Sequence, residues 1–410
     1  GSGVGWEDAG GGASDIDGLS DCKSAGTNFT GSLIVGHETT GTLDAATYNT
    51  AVGLTAMDAI TTGDTNVAVG YGSLTTMTAG KHNVALGWNA LTSLTDAELN
   101  TAVGYNALGS VTQALYNIGI GGEAGYNIGS GHSNIAIGRQ VMYTGAGVTG
   151  HRNIGVGRES LKALVSGEEN VCVGNLSGYA FTSGHYNVGI GTNALFSATT
   201  VSNLVGVGRS ALTSNTSGTD NTAVGALALD ACTTGADNVA VGKSALTANT
   251  TASSNTAVGS GALPACTTGI NNVAIGIGAM NYSTTGSSNV AIGYYAMKGS
   301  ASTAPGTNVA VGNEAGFYIT SGENNIFLGH ATGFSGSPGG QVTTGDNEIY
   351  LGNQSITAAN IQVDWTVASD KRDKTDVSPM DLGLEFINQL EPVTYRWDKR
   401  SKYSDDQSAT

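Results

Sequence analysis

The cysteines Cys22, Cys172, Cys232 and Cys266 are the obvious candidate nucleophiles and soft-metal ligands of this chain, and their spacing supports neither role. None stands close enough to another in sequence to read as one half of a structural zinc site. Four cysteines in 410 residues are no disulfide framework either, and they fit assembly in a reducing cytosol. His132 and His151 each precede an asparagine of the same local pattern by two positions, which would make them spatial neighbours. No second ligand type accompanies them, so neither a metal nor a cofactor is expected. Glycoside hydrolysis would need paired carboxyl groups roughly 5 to 10 Å apart. Glu168 and Glu169 are adjacent in a turn and point different ways, while Glu123, Glu159 and Glu314 are scattered, which leaves pairing across chain interfaces as the one route to such a site. Gly-x-Gly strings such as GIGGEAG, starting at Gly119, lack the strand-to-helix setting of a phosphate loop.

A binding surface is easier to place. Tyr71, Trp88 and Tyr105 recur at a fixed interval, and Arg139, Arg158, Arg209, Lys243 and Tyr294 occupy the same place further along. Stacked aromatics could offer sugars a platform, or could simply pack on one another.

That interval belongs to a repeat that must position everything else. Segments of the type Asn-x-Ala-Val-Gly end at Gly53, Gly70, Gly87, Gly104, Gly121 and Gly138, and continue to Gly329. A degenerate first copy, SLIVG, ends at Gly36 and a last, EIYLG, at Gly352. Of the 18 intervals, 15 are 17 residues, two are 19 and one is 23, so the additions must sit in loops. Alternation such as Val67-Ala68-Val69 predicts a strand, and the glycine that closes it allows a corner. A second apolar pair follows, such as Ala90-Leu91, and then a polar turn such as Thr61-Thr62-Gly63. Together these make one coil of a β-solenoid. Stacked at a strand spacing of ~4.8 Å, the repeats would form a rod roughly 86 Å long. Asn66, Asn83, Asn100, Asn117 and Asn134 would then lie above one another as a structural amide ladder.

Composition agrees with a thin, β-structured object. Glycine accounts for 63 residues and aromatics for 6%, so a core of large side chains cannot be built, and collagen's period of three is missing. The net charge of -16 excludes a nucleic-acid partner, which needs basic patches. No apolar run is long enough for a membrane span. The chain opens on Gly1 and not on Met, so the missing signal peptide carries no information. Each coil offers about three apolar side chains at roughly 1.5 to 3 kcal/mol apiece, set against the ordering entropy of a whole coil. Such a rod predicts association of several chains along its length.

The end of the chain is different. Of 48 charged residues, 16 lie between Asp370 and Thr410. Ser378-Pro379-Met380-Asp381 reads as a helix start, Met380, Leu384, Ile387 and Leu390 follow at helical spacing, and Val393, Tyr395 and Trp397 alternate as a strand. A repetitive rod has an almost degenerate chain register, and a non-repetitive module could align it.

The Asn-x-Ala-Val-Gly segments resemble the repeat regions of bacteriophage tail fibres over residues 32 to 352, and more loosely the heads of trimeric autotransporter adhesins. Both resemblances imply a homotrimer. SDKRDK followed by DLGLEFINQLEPVTYRW resembles the opening of the intramolecular chaperone at the C-terminus of endosialidase tailspikes, phage tail fibres and neck appendages. That resemblance implies a module that trimerises, sets the stalk in register and cuts itself off between Ser369 and Asp370, with Lys374 as the base of a Ser/Lys dyad. The expected architecture is all-β, an elongated trimeric β-solenoid (β-helix) fibre of about 18 rungs, followed by the beginning of a small α/β chaperone domain. Its expected parts are a Gly-rich acidic segment at 1–31 that would attach the fibre to the particle, the shaft at 32–352, a connecting strand at 353–369 and the N-terminal part of the chaperone at 370–410. The functional expectation is a structural and host-adhesion tail fibre, assembled in the host cytoplasm and carried on the virion. Its partners would be other tail proteins and a host cell-surface glycan or protein receptor, and its chemistry at most a single self-cleavage. A bacterial trimeric surface adhesin and a glycan-degrading tailspike are the alternatives.

Overall fold

The computed structural model describes residues 22–24 (backbone alone), 32–35, 45–299 and 306–360. The chain divides into two units, Gly1–Thr357 and Ala358–Thr410. The described part of the first is a β-solenoid, as the repeat predicts. Strand β1 (Cys22–Ser24) pairs antiparallel with β2 (Leu33–Val35). From β2 to β20 (Ile349–Leu351) every strand is three residues long and successive strands pair in parallel. The register is that of the sequence repeat, with Val67 opposite Val84 and Ala68 opposite Ala85. The longer intervals keep it too: Ile137 still faces Val156, Ile292 faces Val311 and Leu328 faces Leu351. The connecting strand expected from 353 is not formed over residues 353–360, which hold one turn and otherwise irregular backbone, and residues 361–369 lie outside the described range.

Three kinds of corner close each coil. The glycine that ends the strand has a φ only glycine adopts, +137 at Gly87, and a Cβ there would sit 2.5 Å from the carbonyl oxygen of Gly104 in the next coil. Left-handed residues then turn the chain at Asn89 (φ 53), at Leu91 (φ 51) and again at Leu99 (φ 61). The second apolar pair is therefore a corner and not a second strand. Left-handed geometry costs an L-residue about 1 to 2 kcal/mol, and here each such amide is tied to a neighbouring coil: Asn89 N–H to Tyr71 O at 2.8 Å, Leu91 N–H to Ala107 O at 3.0 Å, Leu99 N–H to Lys81 O at 3.1 Å. Because corners bond across coils, one coil alone could not hold them.

Three columns supply the apolar side chains at the strand, the corner and the third side of the interior. Small residues such as Ala68, Ala85 and Ala102 fill the middle of the strands, Leu74, Leu91 and Leu108 fill the corner, and Ile60, Met77, Leu94 and Val111 fill the third side, all buried. The β-branched residues that flank each central alanine point outward. Alternation in sequence is symmetric between the two faces, and only the coil geometry says that the smaller residue goes in.

Candidate functional site

The asparagine column is wholly buried, and its side chains bond from coil to coil. Asn83 is representative: its Oδ1 accepts the Asn100 N–H at 3.0 Å, and its Nδ2 donates to Ala97 O at 2.9 Å and to Asn66 Oδ1 at 3.1 Å. The Oδ1 acceptance of the next N–H and the Nδ2 bond to a carbonyl recur at Asn66, Asn117 and Asn134, so the five asparagines named from the sequence form one ladder, while the Nδ2 bond to the preceding Oδ1 joins Asn66, Asn83 and Asn100. It is broken at Leu204, whose N–H is still accepted by Asn187 Oδ1 but whose side chain accepts nothing.

A second ladder runs two positions earlier in the coil and has no repeated residue type to announce it. In this column the backbone N–H of one coil is accepted by the side chain of the next: Thr47 by Asp64 Oδ1 (3.0 Å), Leu115 by His132 Nδ1 (2.9 Å), His132 by His151 Nδ1 (2.9 Å), Glu168 by His185 Nδ1 (3.1 Å), Ala236 by Ser253 Oγ (3.0 Å) and Ile270 by Ser287 Oγ (3.1 Å). Aspartate, serine and histidine are interchangeable here because each carries an acceptor at the right reach, which explains why the column looked random in sequence. His132 and His151 do come together, stacked with ring centroids 5.2 Å apart and planes at 9°. Their Nδ1 atoms are taken by backbone amides and stacked rings do not converge on one ion. Among the described residues no group of three His, Cys, Asp or Glu side chains could hold a metal. Burial acts to raise the Asp64 carboxyl, but hydrogen bonds from Lys81 and Thr47 outweigh it and hold the group below its usual value.

The aromatic column is assembled as well. Tyr71 and Trp88 stack at 6.1 Å and 16°, Trp88 and Tyr105 at 4.9 Å and 2°. Parallel rings this close cover each other's faces, so the column presents ring edges more than a flat floor.

Cys232 and Cys266 lie in the third interior column, where burial pushes both thiols up to about 11, and burial pushes Cys172, inside its strand, up to about 12. Such thiols stay protonated and unreactive. That column changes character here: Asn215, Asn249 and Ser283 replace the aliphatic residues, and each leaves a buried polar atom without a partner. Glu168 and Glu169 both engage Arg152, at 3.4 and 2.8 Å, and Glu159 engages Arg158 and Lys162, each at 3.2 Å. These carboxylates are committed to cations.

The most extensive surface feature is the outer side of the sheet. In β2 to β20 the first and third residues point outward, and apart from Thr50, Thr101, Thr222 and Thr256 all of them are Val, Ile or Leu. Ile190 is 41% exposed, Leu328 50% and Ile349 61%. A continuous aliphatic stripe of this length exceeds what a monomeric soluble protein ordinarily leaves in water. Among the described residues no helix is long and apolar enough to cross a membrane.

Ser369, Asp370 and Lys374 lie outside the described residues. Over residues 369–409 the chain matches the family described as chaperone of endosialidase. No curated protein matches the chain. A repetitive β-solenoid followed by the start of this chaperone fits a phage tail fibre or tailspike-like protein.

Proposed function

We propose that the chain is the shaft of a bacteriophage tail fibre, that three copies assemble side by side, and that the segment from Ser369 onward is the tool that assembles them. The observation that carries this reading is the order of two unlike parts: a solenoid with register-degenerate coils, then residues 369–409 with their chaperone match. The aliphatic outer face supports the trimer. Three such faces turned toward a common axis would remove it from water at about 25 cal/mol per Å². The work of the shaft is mechanical and adhesive, carrying a receptor-contacting surface away from the particle, with other tail proteins and a host surface glycan or protein as partners.

In this reading Lys374 takes the Ser369 hydroxyl proton and Oγ adds to the Ser369 carbonyl carbon, the C–N bond to Asp370 breaks as Lys374 gives the proton to the departing nitrogen, and water opens the cyclic ester to leave a Ser369 carboxylate and a free Asp370 amine. The test is expression of the full-length protein beside a Ser369→Ala variant. The native protein is expected to give a shaft ending at Ser369 and a separate chaperone, and the variant one longer chain. Identical band sizes would refute self-cleavage while leaving the shaft reading to be judged by oligomeric state.

A further inference from the structure

The two edges of the aliphatic face carry opposite charge. Between residues 45 and 360 the chain has eight lysines and arginines, and four of them, Arg139, Arg158, Arg209 and Lys243, stand directly after the glycine that closes a strand. No Asp or Glu occupies that column at any coil. The same span has 15 carboxylates, and eight of them stand one or two positions before the ladder position that precedes each strand, among them Glu168, Glu169, Asp220 and Asp237. The face is therefore bounded by a cationic C-terminal edge and a largely acidic N-terminal edge. Lys81, Arg152 and Lys162 are ion-paired within the chain, and Lys298 lies over Tyr295 at 4.6 Å. Arg139, Arg209 and Lys243 have no ion pair among the described residues. Within one chain the two edges of a coil are separated by the width of the strand, about 15 to 20 Å, too far to pair.

We infer that the cationic edge of one protomer docks on the acidic edge of a second copy. Around a three-fold axis with parallel chains, the C-terminal edge of each sheet necessarily meets the N-terminal edge of the next, so the charge separation matches the symmetry. If the rise is spread evenly over a coil of ~4.8 Å, Lys243 stands roughly 1.7 Å above the level of Asp237, and Arg209 roughly 3.1 Å below that of Asp220. Both offsets are within reach of long cationic side chains. Arg158 stands in the same relation to Glu169, but within the chain Arg158 pairs with Glu159 and Glu169 with Arg152, so Arg209 and Lys243 carry the docking. The inference rests on the trimer reading, and it names which side chains meet and which edge faces which.

The experiment is a charge swap in the full chain, with the oligomer followed by light scattering over a dilution series. Arg209→Asp is expected to raise the concentration needed for half-assembly by about tenfold, since one reversal is repeated at three symmetric contacts. Arg209→Asp combined with Asp220→Arg is expected to restore assembly to within about threefold, because the pair is re-formed with its polarity reversed. Arg152 already occupies the same left-handed position as Asp220, at φ 57, so the backbone accepts arginine there. Unchanged assembly of Arg209→Asp, or a double variant no better than the single one, would overturn the inference with the trimer intact. A wild-type chain that stays monomeric would instead refute the trimer reading. Alginate serves as a polyanion control: binding to wild-type trimers that is lost in Arg209→Asp, with assembly unaffected, would assign the edge to an anionic glycan and overturn the docking.

Discussion

Leu204 donates its backbone N–H to Asn187 Oδ1 at 3.0 Å and gives nothing to the coil that follows. Its side chain is buried in the asparagine column, while the neighbouring Asn203 points out and reaches Asp220 at 3.1 Å. Asn221 then starts the ladder afresh, its Nδ2 on Gly235 O at 2.7 Å and its Oδ1 on the Asn238 N–H at 3.0 Å. The shaft is thus two ladders joined by an aliphatic splice.

The splice predicts an asymmetry between two substitutions. Asn83→Leu would strand the Asn100 N–H and the Ala97 carbonyl, both buried, and should destabilise the shaft by about 2 to 5 kcal/mol. Leu204→Asn supplies the acceptor that Asn221 lacks and should cost little or stabilise. Thermal unfolding of the two variants beside wild type decides, and equal losses would mean the ladder adds nothing beyond packing.

Glycine positions divide in the same way. At Gly87 both the φ of +137 and the 2.5 Å approach of Gly104 O forbid a side chain, so Gly87→Ala should cost about 3 kcal/mol or more. At Gly122, one place after the next-but-one corner, a Cβ would meet nothing within 4 Å. Gly122→Ala should leave the melting temperature within a few degrees of wild type, or raise it slightly.

The histidine segment predicts a local response to substitution. His132 Nδ1 accepts the Leu115 N–H and His151 Nδ1 accepts the His132 N–H, so phenylalanine at either place keeps a stacked ring and removes the acceptor. Hydrogen-exchange protection of the Leu115 amide should fall about tenfold in His132→Phe, and that of the His132 amide by as much in His151→Phe. The amides of Ala236 and Ile270, accepted by serines, should not change. Asp64 adds a dependence on pH: its lowered group stabilises fully above the ordinary carboxylate range, and that share is lost as pH falls through its folded value. Uniform loss of protection over all four amides in either phenylalanine variant would contradict the histidine account.

The period, the strands, the corner glycines and the asparagine ladder could be read directly, because each repeats one residue type at one place. The second ladder could not, since Asp64, His132 and Ser253 share an acceptor and not a name. Nor could the orientation of the strands. Val67-Ala68-Val69 alternates equally well either way round, and it is the coil that buries Ala68 and turns the two valines out. The stacking of Tyr71, Trp88 and Tyr105 followed from spacing, but whether rings would show faces or edges depended on the coil rise.

That orientation makes the outer valines and isoleucines the test of the whole assembly. Ile190 contributes little to the interior of its own chain, being 41% exposed, whereas Thr200 is an exposed polar residue in a turn away from the strand. If the aliphatic stripe is where copies meet, Ile190→Lys places a charge in a desolvated contact three times over and should cost about 3 kcal/mol or more of association. Thr200→Lys should cost almost none. Size-exclusion chromatography with light scattering, at a concentration where wild type is fully assembled, separates the two cases. Loss of the trimer in Ile190→Lys alone supports the face, and equal assembly of both variants would leave the stripe without its partner.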